Sequence, residues 1–113
     1  MTNYKAGDVV LVEFIFSEQE GSKRRPALVV SSELYNKSRH EVIVAAITSN
    51  IDRKLIGETI LKNWKDDGLL HPSTVTAIIQ TIRTNLITKK IGTLTTIDLT
   101  SVKINLLKAM QLV

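Results

Sequence analysis

The sequence predicts a mainly β protein, a small and strongly bent antiparallel barrel of the Src-homology-three type with one C-terminal helix packed on it. Two observations lead to this fold class. Most apolar segments are short, rich in Val, Ile and Thr, and separated by turn-forming residues. Only the last segment, 95–113, carries apolar residues at helical spacing. Closely spaced strands followed by one helix are typical of a small barrel that the helix covers.

The composition fits one domain over residues 1–113. The chain has 113 residues, of which 43% are hydrophobic, and no cysteine. This excludes a zinc–thiolate site and a disulfide framework and fits a reducing compartment. The first residues lack the apolar core of a signal peptide, and no apolar stretch approaches the ~20 residues that span a bilayer. We therefore expect a soluble, cytoplasmic protein without a membrane partner, and its net charge of +4 weakly favours an anionic partner.

Three strands are predicted in the N-terminal half, at 9–16, 27–32 and 41–47, after a turn at Gly7 and Asp8. The second and third are rich in Val, Ile and Ala, so we expect them to be buried on both faces. Residues 17–23 are polar or glycine and predict a loop. Residues 32–38 predict at most one helical turn, and 50–56 predict a basic loop.

The C-terminal half predicts strands at 58–62, 74–82 and 89–94, with a tight turn at 66–68. Gly92 indicates a bulge or bend in the last strand. Thr95 or Thr96 can cap the final helix, and the charge of Asp98 in its first turn suits the helix dipole. The apolar face of this helix is predicted to consist of Leu99, Val102, Leu106, Leu107, Met110 and Val113.

The segment around Arg25 carries the strongest chemical signal. Pro26 restricts the preceding residue to extended backbone, so Arg25 is held in a defined direction at the entrance of a predicted strand. Its guanidinium can donate two parallel hydrogen bonds to phosphate oxygens. The hydroxyls of Thr48 and Ser49 end another strand and can bind the same group. In the alternative interpretation, Arg25 forms a surface ion pair and the hydroxyls satisfy their own turn.

Other candidate chemistry is weaker. Glu20 lies five residues before Arg25 and could act as a general base, although its local sequence favours a solvated surface charge. His40 and His71 are not spaced as a motif, which favours ordinary surface residues. The sequence contains no carboxylate cluster typical of a two-metal site, no phosphate loop and no dinucleotide fingerprint. We therefore expect neither a metal nor a cofactor.

Taken in order along the chain, these segments resemble the MazF/PemK (Kid) toxins of type II toxin–antitoxin systems. The resemblance covers nearly the whole chain. It is carried by GDVVLVEF at 7–14, KRRPALVV at 23–30, IVAAITS at 43–49, GLLHPS at 68–73, QTI at 80–82 and KIGTL at 90–94.

The resemblance implies a homodimer with the barrel fold shared by the CcdB gyrase poisons. It also implies a metal-independent, sequence-specific endoribonuclease, an mRNA interferase toxin, that cuts single-stranded RNA. In such enzymes the ribose 2′-hydroxyl attacks the adjacent phosphate, which leaves a 2′,3′-cyclic phosphate and a 5′-hydroxyl end. The implied protein partner is a cognate antitoxin, often with a disordered acidic tail. The alternative is a non-catalytic toxin or binding module of the same fold, such as a gyrase poison.

The family's catalytic positions fall on Arg25, Thr48 and Glu20, although a shift within the first loop would place Glu18 in the glutamate's role. Gln80 stands where some members have a basic residue. Which group takes the 2′-proton, and which protonates the leaving oxygen, stays open. The loops 17–24 and 50–56 provide candidate RNA contacts, which are Lys23, Arg24, Asn50, Arg53 and Lys54. Ser49, next to Thr48, is a further candidate contact.

Overall fold

The computed structural model describes residues 3–17 and 21–112. Within them, the predicted mainly β fold with a C-terminal helix is confirmed. The strands are β1 (Asp8–Ser17), β2 (Gly21–Val29), β3 (Glu41–Thr48), β4 (Thr59–Ile60), β5 (Thr74–Arg83) and β6 (Ile87–Thr93). The helices are α1 (Glu33–Arg39) and α2 (Thr96–Ala109), and a short 3₁₀ turn covers Thr84–Leu86. None of the helices in the described ranges is long and apolar enough to cross a membrane.

All six strands form one antiparallel sheet in the order β4-β5-β3-β2-β1-β6, curled into a half-barrel. Both faces of its central strands are buried, as the sequence predicts. Ala27 and Val29 of β2 contribute to one apolar cluster, and Leu28 between them contributes to the other. The second cluster includes Val102 of α2, so the helix covers this face of the sheet.

The second strand starts earlier than the sequence predicts. The polar segment 17–23 is predicted as a loop, but β2 begins at Gly21. Its N-terminal half pairs with β1, with Arg25 opposite Val12 and Arg24 opposite Glu13. Backbone pairing with a neighbouring strand thus overrides the loop preference of the local sequence. As a result Arg25 lies in the middle of a strand rather than at its entrance.

Two shorter elements also differ from the prediction. Helix α1 is seven residues long, not one turn, because the hydroxyl of Ser32 accepts a hydrogen bond from the Tyr35 N–H (3.1 Å) and caps it. His40 ends the helix in the left-handed conformation with φ of 55°. Strand β4 has only two residues, since only Thr59 and Ile60 pair with β5.

The predicted apolar face of α2 is partly correct. Val102 is buried, and Leu99 and Leu106 pack against the same apolar cluster, whereas Leu107 is 54% exposed. Consecutive residues of a helix point about 100° apart, so Leu107 lies at the edge of the buried face while Leu106 packs against the sheet. Val113, the last predicted member of this face, lies outside the described residues.

Two buried carboxylates attach the 62–68 segment to the start of α2. Asp98 accepts hydrogen bonds from the backbone N–H groups of Lys62 (2.9 Å) and Asn63 (2.8 Å). Asp67 Oδ1 accepts one from the N–H of Thr95 (2.8 Å), the residue that caps α2. Asp98 therefore does more than complement the helix dipole, because it satisfies two backbone donors that are 35 and 36 residues away in sequence.

The carboxyl groups of Asp67 and Asp98 affect each other's protonation. Burial, followed by the hydrogen bond to Asp98, raises the pKa of Asp67 to about 7. Burial alone would also raise the pKa of Asp98, but the hydrogen bonds from Asp67 and from two backbone N–H groups outweigh it and lower that pKa. The buried Asp67 Oδ2 accepts no hydrogen bond from any described residue. We infer that this oxygen carries the proton and donates it to Asp98.

A close backbone contact joins the same segment to β6. Val9 pairs with Gly92 and Val10 with Lys90, which leaves Ile91 as the extra residue of a β-bulge and confirms the predicted irregularity at Gly92. A Cβ atom on Gly92 would lie 2.1 Å from the Asp67 carbonyl oxygen. The absence of a side chain at Gly92 therefore lets the turn at 66–68 lie directly on the last strand.

The raised pKa of Asp67 predicts a pH-dependent stability. A carboxyl whose pKa is higher in the folded state favours folding below its unfolded value, so the contribution of Asp67 is complete below about pH 3.8 and is lost as the pH rises to about 7. In Asp67→Asn, the amide can donate to Asp98 and accept from Thr95 without titrating. We expect this variant to lose the decline in unfolding free energy between pH 4 and 7, measured by urea denaturation. Asp66→Asn is the exposed control, and equal slopes in the two variants would contradict the raised pKa of Asp67.

The contact between Gly92 and the 66–68 turn predicts that any side chain at position 92 destabilises the folded protein. Gly92→Ala places a methyl group against backbone that cannot move without disturbing the turn. We expect it to lower the free energy of unfolding by about 1–3 kcal/mol or more, as overpacking does in well-packed sites. Chemical denaturation measures this loss, and a variant as stable as the original protein would disprove the close contact.

Candidate functional site

A groove of about 470 Å³ opens where β2 and β3 stop pairing. Strands β1, β2, β3, β5 and β6 and the connections after β3 and before β5 all contribute to it. Its lining residues are Leu11, Arg25, Pro26, Ala46, Ile47, Thr48, Ser49, Arg53, Gly68, Leu69, Leu70, His71, Ser73, Thr76, Ile78 and Ile91.

Arg25 and Thr48 line this groove together. The last pair between β2 and β3 joins Ala27 to Ala46, and Arg25 and Thr48 stand two residues beyond it on their respective strands. The antiparallel register therefore brings together two residues that are far apart in sequence.

The Thr48 hydroxyl can stabilise the turn after β3 and bind a ligand at the same time. Its Oγ1 accepts a hydrogen bond from the backbone N–H of Asn50 (3.1 Å). A hydroxyl has one hydrogen to donate in addition to its acceptor capacity. The two alternatives drawn from the sequence are therefore compatible, because the hydroxyl hydrogen stays available to an anion in the groove.

The predicted contacts after β3 divide into two groups. Ser49 and Arg53 line the groove, whereas Asn50 and Lys54 are exposed outside its lining. Asn50 Oδ1 accepts from the N–H of Asp52 (3.2 Å), which stabilises the turn.

Arg53 already has a carboxylate partner. Its Nε donates to Oε1 of Glu58 (3.1 Å) and its Nη2 donates to Oε2 of the same residue (2.5 Å). The Glu58 side chain is only 4% exposed, so it depends on this pairing for its charge compensation. Arg53 is therefore less available to a phosphate than the sequence suggests.

The remaining predicted residues lie beside the groove or outside the described ranges. Lys23 and Arg24 are exposed on β2 but do not line the groove. Glu20, and Glu18 as its alternative, fall outside the described residues. Their roles stay predictions.

His71 lines the groove although its sequence context favours an ordinary surface residue. Strand β5 pairs with β3 so that Thr74 lies opposite Thr48, and this brings the segment just before β5 next to the end of β3. Ser73 Oγ donates to the carbonyl oxygen of His71 (2.7 Å) and holds that segment. The sequence shows that His71 lies shortly before a predicted strand. This position points to the groove only once the pairing of β5 with β3 is known.

The groove suits an anion. Among the described residues, its charged lining side chains are those of Arg25 and Arg53, and no acidic side chain lines it. The Arg25 guanidinium and the Thr48 hydroxyl supply charged and neutral donors on the same surface. No group of three or more His, Cys, Asp or Glu side chains within 3–17 and 21–112 is arranged to hold a metal ion.

Comparison with known proteins shows what this fold and sequence are similar to. A chain from the Deinococcus radiodurans MazE–MazF crystal structure (Form-II) superimposes with a TM-score of 0.83 at 19% identity, covering 100% of both chains. The "Endoribonuclease from Mycobacterial species" gives a TM-score of 0.78 at 18% identity, covering 99% of this chain and 95% of that one. The Mycobacterium tuberculosis toxin MazF-mt6 gives 0.76 at 24% identity, covering 94% and 98%. These likenesses establish the fold.

The sequence gives the family independently of these structures. A comparison with curated protein sequences finds no significant match. The family model of the "PemK-like, MazF-like toxin of type II toxin-antitoxin system" matches residues 5–110, nearly the whole chain. The protein therefore belongs to the family of PemK-like, MazF-like toxins of type II toxin–antitoxin systems.

Proposed function

We propose that the protein is a sequence-specific, metal-independent endoribonuclease toxin that cleaves single-stranded RNA in the cytoplasm, acting as one domain over residues 1–113. The observation that carries the proposal is the convergence of Arg25 and Thr48 on one groove without an acidic lining side chain among the described residues. Membership of the toxin family supports it, as do similar folds in proteins called endoribonucleases.

The nucleophile belongs to the substrate, so the protein has to orient it and to stabilise negative charge. The ribose 2′-oxygen attacks the adjacent phosphorus, the P–O5′ bond breaks, and a 2′,3′-cyclic phosphate and a 5′-hydroxyl end result. Arg25 stabilises the extra charge on the five-coordinate phosphorus. Thr48 donates its hydroxyl hydrogen to a non-bridging oxygen while it accepts from Asn50. DNA lacks the attacking hydroxyl, which makes RNA the substrate.

Proton transfer falls to other groups, because an arginine guanidinium stays protonated. We assign removal of the 2′-proton to Glu20, with Glu18 as the alternative in the same segment. His71 is the histidine that lines the groove. We assign to its imidazole the exchange of a proton with the leaving oxygen. Ser49, Lys23, Arg24 and the more weakly available Arg53 then contact the RNA around the reacting phosphate.

The positively charged lining of the groove also favours the binding of an acidic inhibitor. A cognate antitoxin with an acidic, initially disordered tail would order on binding and occupy the groove in place of RNA. Structures of similar fold include an endoribonuclease in complex with its cognate antitoxin, which supports this partner class.

We further propose that a second copy of the chain covers the exposed side of α2. A mainly apolar groove of about 480 Å³ lies between α2 and the sheet. Leu107 and Leu112, both on its lining, are 54% and 73% exposed in the single chain. Exposed apolar surface of this kind marks an interaction site, and the family resemblance implies a homodimer.

Removal of either donor should abolish most of the cleavage. Arg25→Ala and Thr48→Val should each lower the rate by about 10²–10³, the usual loss for one donor to a transition-state charge. The measurement is cleavage of a mixed-sequence single-stranded transcript in EDTA, with mapping of the cut sites and detection of cyclic phosphate ends. Arg83→Ala and Thr81→Val remove the same residue types from exposed positions outside the groove and serve as controls. A transcript left intact by the original protein would exclude the nuclease and favour a binding module.

The proposed dimer predicts that a charge introduced on the exposed surface of α2 changes the oligomeric state. Leu107→Glu places a charge in the proposed interface and should shift the sedimenting species from dimer to monomer, whereas Ile97→Glu, an exposed apolar residue outside the groove lining, should not. Analytical ultracentrifugation across protein concentrations gives the result. A monomeric original protein at all concentrations would refute the proposal.

A further inference from the structure

We propose that the RNA strand continues from the groove onto β6, where Lys89 binds a phosphate flanking the one that is cleaved. This inference rests on the proposed ribonuclease function and adds a substrate contact that lies outside both candidate loops. The proposal rests on a second hollow of about 450 Å³ that lies next to the groove.

The two hollows are adjacent and share four lining residues. The second is lined by Leu11, Gly68, Leu70, Lys89, Lys90 and Ile91. Leu11, Gly68, Leu70 and Ile91 also line the groove that contains Arg25. A chain lying in the groove therefore has the second hollow directly beside it.

The sheet register orients Lys89 toward this surface. Leu11 pairs with Pro26 on one side and with Lys89 on the other. Directly opposed residues of neighbouring strands point to the same face of the sheet. Two strand spacings separate Lys89 from Pro26, which corresponds to roughly 10 Å between their backbones. The lysine thus stands on the same face of the sheet as Leu11 and Pro26, which both line the groove.

Of the two lysines in the second hollow, Lys89 is the available cation. Lys90 Nζ lies 3.1 Å from Oδ1 of Asp8, a carboxylate whose side chain is 1% exposed. Lys90 is therefore committed to compensating a buried charge. Lys89 is exposed and has no ion pair within the described residues, and no acidic side chain lines either hollow in those ranges.

The surface between the two cations is apolar. Leu70 is 86% exposed and lines both hollows. An alternation of cation, apolar surface and cation matches a single-stranded nucleic acid, in which charged phosphates alternate with the apolar faces of unstacked bases. Continuity with the groove that holds the scissile phosphate favours RNA over an acidic peptide as the occupant.

The test measures RNA binding as a function of salt. The probe is a fluorescent single-stranded RNA containing the mapped cleavage site, with the attacking hydroxyl replaced by hydrogen so that it is not cut. Fluorescence anisotropy gives Kd at several salt concentrations for the original protein, Lys89→Ala and Lys37→Ala. Lys37 is an exposed lysine on α1 that lines neither hollow, so its removal changes the net charge equally.

We expect Lys89→Ala to weaken binding about two- to five-fold and to reduce the slope of log K against log salt by about 0.7, the value for one lost contact to a single strand. Shortening the RNA on the flank that reaches Lys89 should weaken binding by the original protein but add little to the effect of Lys89→Ala. Equal effects of Lys89→Ala and Lys37→Ala, in a protein that cuts RNA, overturn this inference alone.

Two further outcomes separate the inference from the proposed function. An original protein that neither cuts nor binds RNA overturns both. Normal RNA binding by Lys89→Ala together with weakened binding of a synthetic acidic peptide overturns the RNA contact and assigns the β6 surface to a protein partner.

Discussion

The pairing of β2 with its two neighbours is the constraint on which the site depends. Strand β2 pairs with β1 along nearly its whole length, but with β3 only from Ala27 to Val29. The site groove opens where the second pairing ends, with Arg25 on one strand and Thr48 on the other. A one-residue slip of either strand would turn one of these side chains to the opposite face of the sheet. The same backbone hydrogen bonds that build the sheet therefore set the relative positions of Arg25 and Thr48.

A second constraint holds the far wall of the groove. The 62–71 segment has little regular structure, yet Gly68 and His71 must keep fixed positions on the groove. Hydrogen bonds to Asp67 and Asp98 attach this segment to α2, and the contact at Gly92 attaches it to β6. The wall is thus supported by buried polar contacts from two directions, although few of its own residues are in secondary structure.

The groove is lined by few charged side chains but by several hydrogen-bond donors. Glu58 compensates Arg53, and the described lining residues include two arginines and no carboxylate. In the proposed reaction the substrate provides the nucleophile, which leaves stabilisation of the phosphorus as the main task of the protein. A groove of this kind also attracts an acidic inhibitor, so the proposed activity and its proposed control would depend on one electrostatic property.

Sequence alone determined the fold class, most strands, the capped C-terminal helix and the family, because these follow from hydrophobic periodicity, turn residues and ordered motifs. It also identified Arg25 and Thr48 as a pair. The strand status of 21–25, the place of His71 on the groove and the pairing of Arg53 with Glu58 required the tertiary structure. Each of these depends on a partner from another part of the chain or on exact loop geometry. Local pattern carries no information about such partners, since strand order and burial arise only when the whole sheet closes.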